Sequence, residues 1–597
     1  MSEQSMPPSS TPTAQPPKLW RYLLWSALAA IILIPLWLVA LWAMQPEFMT
    51  NAETSMTQRT LSWLGLPIMA VLLMASGMWM NASAQARQAQ APKAAPTQSE
   101  VPAPQVDPAE QARREYVLEI IGMGMTLDKY RQGKLWDALR QGHAFGSIRE
   151  QDPKKYPWSA DDKEGEEGGR TSSTLENGIA KLPMYWPAPS FYADSAVIDP
   201  AARGKAADSP ISGMVSSADS NGLAWTLFVS AGWALSEHPD HILEKAFDFF
   251  DKHPDVPYLV VAASDGLYFR NLYRPKGTDP LIKDGHYIPS MPDSSALFVL
   301  ARRERVEAIR PFAFEDTSQD ELAPEQNRKG IARRLAVAFI DLTEKVPKPQ
   351  GTPFRNPTVP EWLAESAKLV QREEFQSGKG TNFFADRLGV FKGGVVRVPE
   401  GFRPTPWFPV PWNKKQLSDF DSLPTLGYLH RPTYIKLTDQ DGKPLQRRDA
   451  RTKALIQGWQ QALLTLPVAQ RKTAPARIVA STGGDTDKLV ALTSLINTQA
   501  EAGGPELDAA KPSQWVNTDA RLGNTGAATW FVQMGIGVLA SHIDGGISAA
   551  INLRDDKEVS VIFISPPPED KRQKQNKANV FKNNTTPAID PANYQQP

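Results

Sequence analysis

No cysteine occurs in this chain of 597 residues. That single absence excludes disulfides, thiolate metal sites and every mechanism built on a sulfur nucleophile. A charge of one sign is lacking too, because lysine plus arginine and aspartate plus glutamate number 65 each. Nothing in the balance draws the protein to nucleic acid or to acidic substrates. There is no Gly-x-Ser-x-Gly elbow of a serine hydrolase. "STGGDTDK" (Ser481–Lys488) sets glycines near a lysine without the spacing of a phosphate-binding loop, so it reads as a turn between strand and helix. What the chain does have is length beyond one ordinary domain and 41% hydrophobic residues, enough for a substantial core.

Two uncharged apolar runs stand at the front, Leu23–Met44 and Leu61–Met80. Each matches the roughly 20 residues that cross a bilayer, and tryptophans at 20, 25, 42, 63 and 79 lie near their ends, where amphipathic rings favour the headgroup layer. A cleaved signal peptide is the rival, but the first run is too long for it and a second follows. Lys18 and Arg21 before the hairpin, and Arg87 and Lys93 after it, place both ends inside. The expectation is an inner-membrane protein whose large body faces the cytoplasm. From Asn81 to Ala112 the chain is rich in Ala, Gln and Pro and reads as a flexible linker.

The body alternates strand-like apolar runs with amphipathic stretches, the pattern of an α/β layered domain. "VLEIIGMGMTLDKYRQGKLWDALRQG" (Val117–Gly142) predicts a strand, a sharp turn at Gly122 and Gly124, and a helix. Helices are expected over 221–236, over the "HILEKAFDFFDKH" segment from His241, and over 453–466, 485–497 and 525–539. Strands are expected from Tyr258, from Ser295, over 477–482 and over 560–565. "SADDKEGEEGGR" from Ser159 reads as a solvated, mobile loop. The division is a disordered tail (1–20), a transmembrane hairpin (21–80), a linker (81–112), a first α/β half (113–315), a Pro- and aromatic-rich connection (316–430), a second half (431–568) and a disordered basic tail (569–597).

The opening strand, Gly-Met-Gly and helix resemble the start of thiolase and ketosynthase enzymes, as do "ARIVASTGGDTDKLVALTSL" and "ARLGNTGAATWFVQMGIGVLAS". The resemblance implies a layered thiolase-like αβαβα body. It also implies a cysteine and two histidines, and these are missing: Ala480 or Ser481 stands in one histidine position and Asn524 in the other. Decarboxylative condensation has neither its nucleophile nor its oxyanion donors. Over most of its length the chain resembles a proteobacterial family of type VI secretion lipase adaptors, on "EIIGMGMTLDKYRQGKLWDAL" and "WFVQMGIGVLASHIDGG". That resemblance implies a non-enzymatic, membrane-tethered adaptor that holds a phospholipase effector and passes it to the secretion spike. The alternatives are an acyl-handling enzyme using Ser481 with Asp485 or Asp487, and a structural envelope component. A homodimer is left open.

No catalytic, cofactor or metal residues are expected. His238, Asp240, His241 and His253 cluster in sequence without a third nearby ligand, and Asp240 reads as a helix cap. Two Pro-aromatic stretches, "LPMYWPAPSFY" and "FRPTPWFPVPW", put Trp186, Trp407, Phe408 and Trp412 on stiff extended backbone. These four are the expected partner-binding anchors, with packing against the core as the rival reading.

Overall fold

The computed structural model describes residues 116–195, 227–314 apart from 273 and 276, 331–348, 355–372, 375 and 398–582. The expected membrane spans and linker lie outside these residues. Among the described residues no helix is long and apolar enough to cross a membrane.

Strand β1 (Val117–Leu127) runs through Gly122 and Gly124 without turning. The expected sharp turn comes later, at Asp128 with φ +48°, before the short strand β2 (Tyr130–Arg131) and helix α1 (Gln132–Arg140). The two glycines have another cause. Helix α2 (Ala160–Ile179) lies directly on the strand. A Cβ at Gly122 would stand 2.5 Å from the Gly178 carbonyl oxygen, and one at Gly124 would overlap the Thr174 carbonyl. Glycine is what lets helix backbone touch strand backbone.

After α2 come β3 (Pro187–Asp194), β4 (Leu227–Leu235), helix α3 (Ile242–Lys252), β5 (Tyr258–Asp265) and β6 (Ser294–Ala301). The second half brings β7 (Gly427–His430), β8 (Thr433–Lys436), α4 (Arg448–Leu463), β9 (Arg477–Ser481), α5 (Thr486–Glu501), β10 (Trp515–Asn517), α6 (Thr529–Asp544), β11 (Ser548–Asn552) and β12 (Glu558–Ser565). The sheet order is β10-β9-β11-β12-β7-β1-β6-β5-β3-β4, with β2 and β8 attached to β1 and β12. It is a mixed α/β sheet with an internal duplication. Count the five path strands of each half in chain order, and both halves read third, second, fourth, fifth, first. In both, the first three of that order are parallel and the fifth strand is antiparallel to the fourth. The halves join where β1 pairs antiparallel with β7.

The period of two along a strand then sorts side chains into layers. On β12, Val559, Val561 and Phe563 pack with α4 and α5, whereas Ile562 and Ile564 turn to the core that holds α6. Helix α6 is buried on every side, as a helix between two sheets must be. Gly535 admits Met125 of β1 on one face and Gly537 admits Ile564 of β12 on the other. Since Gly124 faces α2 and Met125 faces α6, the layers run α2, first half-sheet, α6, second half-sheet, α4 with α5.

Three expectations are corrected. The 221–236 run is no helix where it is described: Leu227–Leu235 forms the edge strand β4, beside β3. A short run of uninterrupted apolar residues does not disclose its period. The 159–170 segment is no loop but the first part of α2, with Ser159 accepting from the Asp162 N–H as its cap. The stretch after Pro568 opens as helix α7 (Glu569–Lys577), and Phe581 beyond it is buried against His542.

Candidate functional site

The four expected anchors lie in the interior. Trp186, Trp407, Phe408 and Trp412 are each at most 2% exposed. Trp186 sits 5.5 Å from Phe408 and 6.0 Å from Trp412, ring centre to ring centre, and packs tilted at 4.6 Å against Tyr258 of β5. Its indole donates to the Trp407 carbonyl at 3.2 Å. The first stretch is extended in β3, whereas the second turns on itself where Thr405 and Phe408 exchange backbone hydrogen bonds at 2.9 and 3.1 Å, and the rings of both point inward and fasten the connection to the first half-sheet. Burial of this extent leaves no ring free for a partner, which corrects the reading of these residues as presented anchors.

The residues of the alternative enzyme are likewise engaged. Ser481 is buried and its hydroxyl donates to Asp519 at 2.6 Å, while the Thr482 N–H donates to the same carboxylate at 2.7 Å. Asp485 caps α5, accepting from the Asp487 and Lys488 N–H groups at 2.7 and 3.2 Å. Asn524 is exposed and accepts from the Gly526 N–H at 2.9 Å. These are turn and cap contacts, not a nucleophile with its base. His253 packs on Phe249 at 4.2 Å, and His241 bonds Glu558 at 2.6 Å. Among the described residues no group of three or more His, Cys, Asp and Glu could hold a metal ion. Asp240 does not cap α3; it accepts from Asn552 at 2.8 Å across the halves.

A buried ionic network occupies the end of the body where β5 stops and β6 begins. Arg170 of α2 pairs with Asp293 and, at 2.7 Å, with Glu166. Tyr156 donates to Asp128 at 3.1 Å, and the Asp128 N–H donates to the Asp293 carbonyl at 2.8 Å. Asp265, at the end of β5, takes Arg270 at 2.7 Å and the Ala527 N–H ahead of α6 at 2.7 Å, tying one half to the other. Glu167 is fully buried, and one of its oxygens has no partner. Burial raises its carboxyl well above the usual range, and burial likewise raises Asp293 to about 6 against the pull of Arg170. Lys163, Glu167 and Arg170 were missed in the sequence because their helix buries charge instead of hydrocarbon. The legible signal was the Ser159 cap followed by Asp161 and Asp162 in the first turn.

Over this network lie two loops, 141–159 and 277–293. They are bound to each other: the Trp158 carbonyl accepts from the Gly285 N–H at 2.8 Å and from Lys163 Nζ at 2.9 Å, and Tyr156 O meets His286 Nδ1 at 3.0 Å. From these loops project Phe145, 69% exposed, Trp158, 53% exposed, and Leu281, 42% exposed. Phe145 and Trp158 are the aromatic rings among the exposed large apolar side chains of the described residues. Rigid loops presenting aromatic rings to water have the makings of a docking surface.

Two family models match the chain: type VI lipase adapter protein Tla3, N-terminal, over residues 116–284, and the same family's C-terminal model over residues 426–566. Together they cover more than half of the chain. The chain belongs to the Tla3 type VI lipase adapter family. The C-terminal match of that family begins just before β7 and ends just after β12, so it frames the second half of the duplication. The N-terminal match holds Phe145, Trp158 and Leu281, whereas Trp407, Phe408 and Trp412 fall between the two matches. Among solved structures the chain is similar to the ishigamide ketosynthase/chain length factor, with 10% identity and TM-score 0.36 over 75% of this chain and 99% of that one. It is also similar to the ketosynthase from module 6 of the bacillaene synthase from Bacillus subtilis 168, with 8% identity and TM-score 0.38 over 76% and 71%. Likenesses of this degree carry neither activity nor substrate to a Tla3-family member.

Proposed function

We propose that this adapter is a catalytically inactive holder of a phospholipase effector, gripping it through the loop surface that carries Phe145 and Trp158. The observation that carries the reading is the placement of those two rings. They are exposed, yet Trp158 is pinned to α2 through Lys163 and to the other loop through Gly285, and the backbone on either side of Phe145 is held by Arg521 at the His143 carbonyl and the Ile148 N–H, so little ordering remains to be done on binding. The layered, duplicated body serves as a thiolase-like scaffold. Its lack of chemistry is supported by the absence of cysteine and by Asn524, and Ala480 or Ser481, at the positions where the resemblance implies histidines. The apolar runs at Leu23–Met44 and Leu61–Met80 tether the body to the inner membrane, on its cytoplasmic side, from which the effector passes to the secretion spike.

The test is co-purification of the cognate lipase with the full chain. Aromatic anchors each contribute about 2 kcal/mol, so a Phe145→Ala, Trp158→Ala double variant is expected to weaken capture by roughly a hundredfold or more while its melting curve stays in place. Undiminished capture by the folded double variant would place the grip elsewhere.

A further inference from the structure

Where the loop before α3 meets the β11–β12 hairpin and the end of β8, both halves contribute to a polar pocket of about 370 Å3. Its lining includes His238, Asp240, Asn552, Lys436 and Lys557. Asp240 is 5% exposed; its carboxylate takes hydrogen bonds from the Asn552 amide, at 2.8 Å, and from the Ser560 side chain, and one of its oxygens is buried without a partner. The Nδ1 of His238 is buried without a partner as well. Two unpaired polar atoms on one pocket are costly, and a visiting group rich in N–H donors removes that cost. A metal ion is a poor candidate, since the described residues offer no group of three ligands. The rim has the opposite character. Lys436 and Lys557 are exposed ammonium groups, while Glu558 is taken by His241 at 2.6 Å, whose ring stacks at 4.0 Å on Tyr434. Asp555 turns one oxygen to the Lys557 N–H at 2.7 Å.

Acceptors at the floor and cations at the rim fit a ligand that is itself dipolar. We propose that this pocket binds a zwitterion of the phosphoethanolamine class, its primary ammonium donating to Asp240 and His238 and its phosphate lying between Lys436 and Lys557. An ammonium brings three donors, and lysines meet phosphate as point charges. The volume falls within the range of small-molecule sites. Burial raises the Asp240 carboxyl above its ordinary range, and a cation beside it favours the charged form.

Calorimetry on the full chain in detergent decides the matter, with phosphoethanolamine as the probe. Phosphocholine has the same charges but no N–H, and is expected to bind about tenfold more weakly or worse. Asp240→Asn is expected to lower phosphoethanolamine affinity by a similar factor. The surface pair Lys436→Gln, Lys557→Gln does not threaten folding and should lower it several-fold. Equal binding of phosphocholine, indifference to the lysine pair, or no binding at millimolar phosphoethanolamine would each overturn the proposal; the last would mean a pocket filled by water only. Glycerophosphoethanolamine, the diester that a lipid head presents, separates the sources: if it binds more tightly than the free monoester, the ligand is a lipid headgroup, and if more weakly, a soluble phosphomonoester. Effector capture uses none of these residues and should be unchanged in Asp240→Asn, so failure here and failure of the docking surface are distinguishable.

Discussion

Glu167 and Asp293 set the sign of one pH effect. Both carboxyls are raised by burial, Asp293 to about 6 and Glu167 well above its usual range, so folding favours their protonated forms. A raised carboxyl stabilises the fold fully below its unfolded pKa, near about 4, and that stability drains away as pH rises through the folded value. Glu361, drawn down to about 2 chiefly by its hydrogen bonds from Arg355, acts with the opposite sign, losing its contribution as pH falls below about 4. Glu167→Gln keeps the shape and removes the titration. The variant is expected to gain on the parent in melting temperature as pH rises above about 4, and the gap should close at about pH 4 and below. Melting curves across that range check it; a gap that does not change with pH would show that the Glu167 proton is not coupled to folding. Arg170 is different in kind, because removing it leaves the largely buried carboxylates of Asp293 and Glu166 without their shared cation.

Helix α2 shows how one element can carry glycines of opposite meaning. Gly124 of β1 faces the helix, where a Cβ would overlap the Thr174 carbonyl, and backbone cannot swing aside as a side-chain tip can. Gly165, within α2, would meet nothing within 4 Å if given a Cβ. Gly124→Ala is therefore expected to lose about 3 kcal/mol or more through forced separation of helix and strand. Gly165→Ala should gain about 0.5–1 kcal/mol by reducing the backbone freedom lost on folding. Denaturant midpoints measure both, and equal shifts in the two variants would refute the contact at Gly124. The same logic covers α6. Met125 and Ile564 press on it from opposite half-sheets at Gly535 and Gly537, so the helix belongs to both halves at once.

At the scale of the whole molecule the duplicated halves share one sheet path that ends in the edge strands β10 and β4, and the proposed docking surface lies on loops rather than on those edges. The Phe145 and Trp158 loops cover the end where β1, β5 and the segment before α6 converge. The proposed tether is a separate matter of topology. With Lys18 and Arg21 on one side of the hairpin and Arg87 and Lys93 on the other, both its ends should remain in the cytoplasm. A reporter active only outside the cytoplasm is expected to be silent when fused after Gln90 or at the C-terminus, and active when fused between Asn51 and Ser55. Activity at the C-terminus would move the body, and any effector it holds, across the membrane.

Much of this molecule was legible in its residues. Helix α3 shows its apolar face as Ile242, Leu243, Phe247 and Phe250, and the strand from Tyr258 and the capped helix from Asp485 lie where the pattern puts them. The lack of cysteine and the likeness to lipase adaptors were likewise readable without coordinates. Tertiary structure alone decided the rest. Gly122 and Gly124 have the same sequence signature whether a strand bends or a helix lies on it. Leu227–Leu235 has too few polar residues for any period to show. Helix α2 buries Lys163 against the carbonyls of Trp158, Lys283 and Gly285, Arg170 against Asp293, and Glu167 beside them, so its buried face has no apolar stripe. Trp407 and Trp412 turned inward because Trp186, Tyr258 and Phe420 were there to receive them. Periodicity reports the contrast between water and core along one element. It is silent where an element is buried on both sides, or where its partner comes from far along the chain.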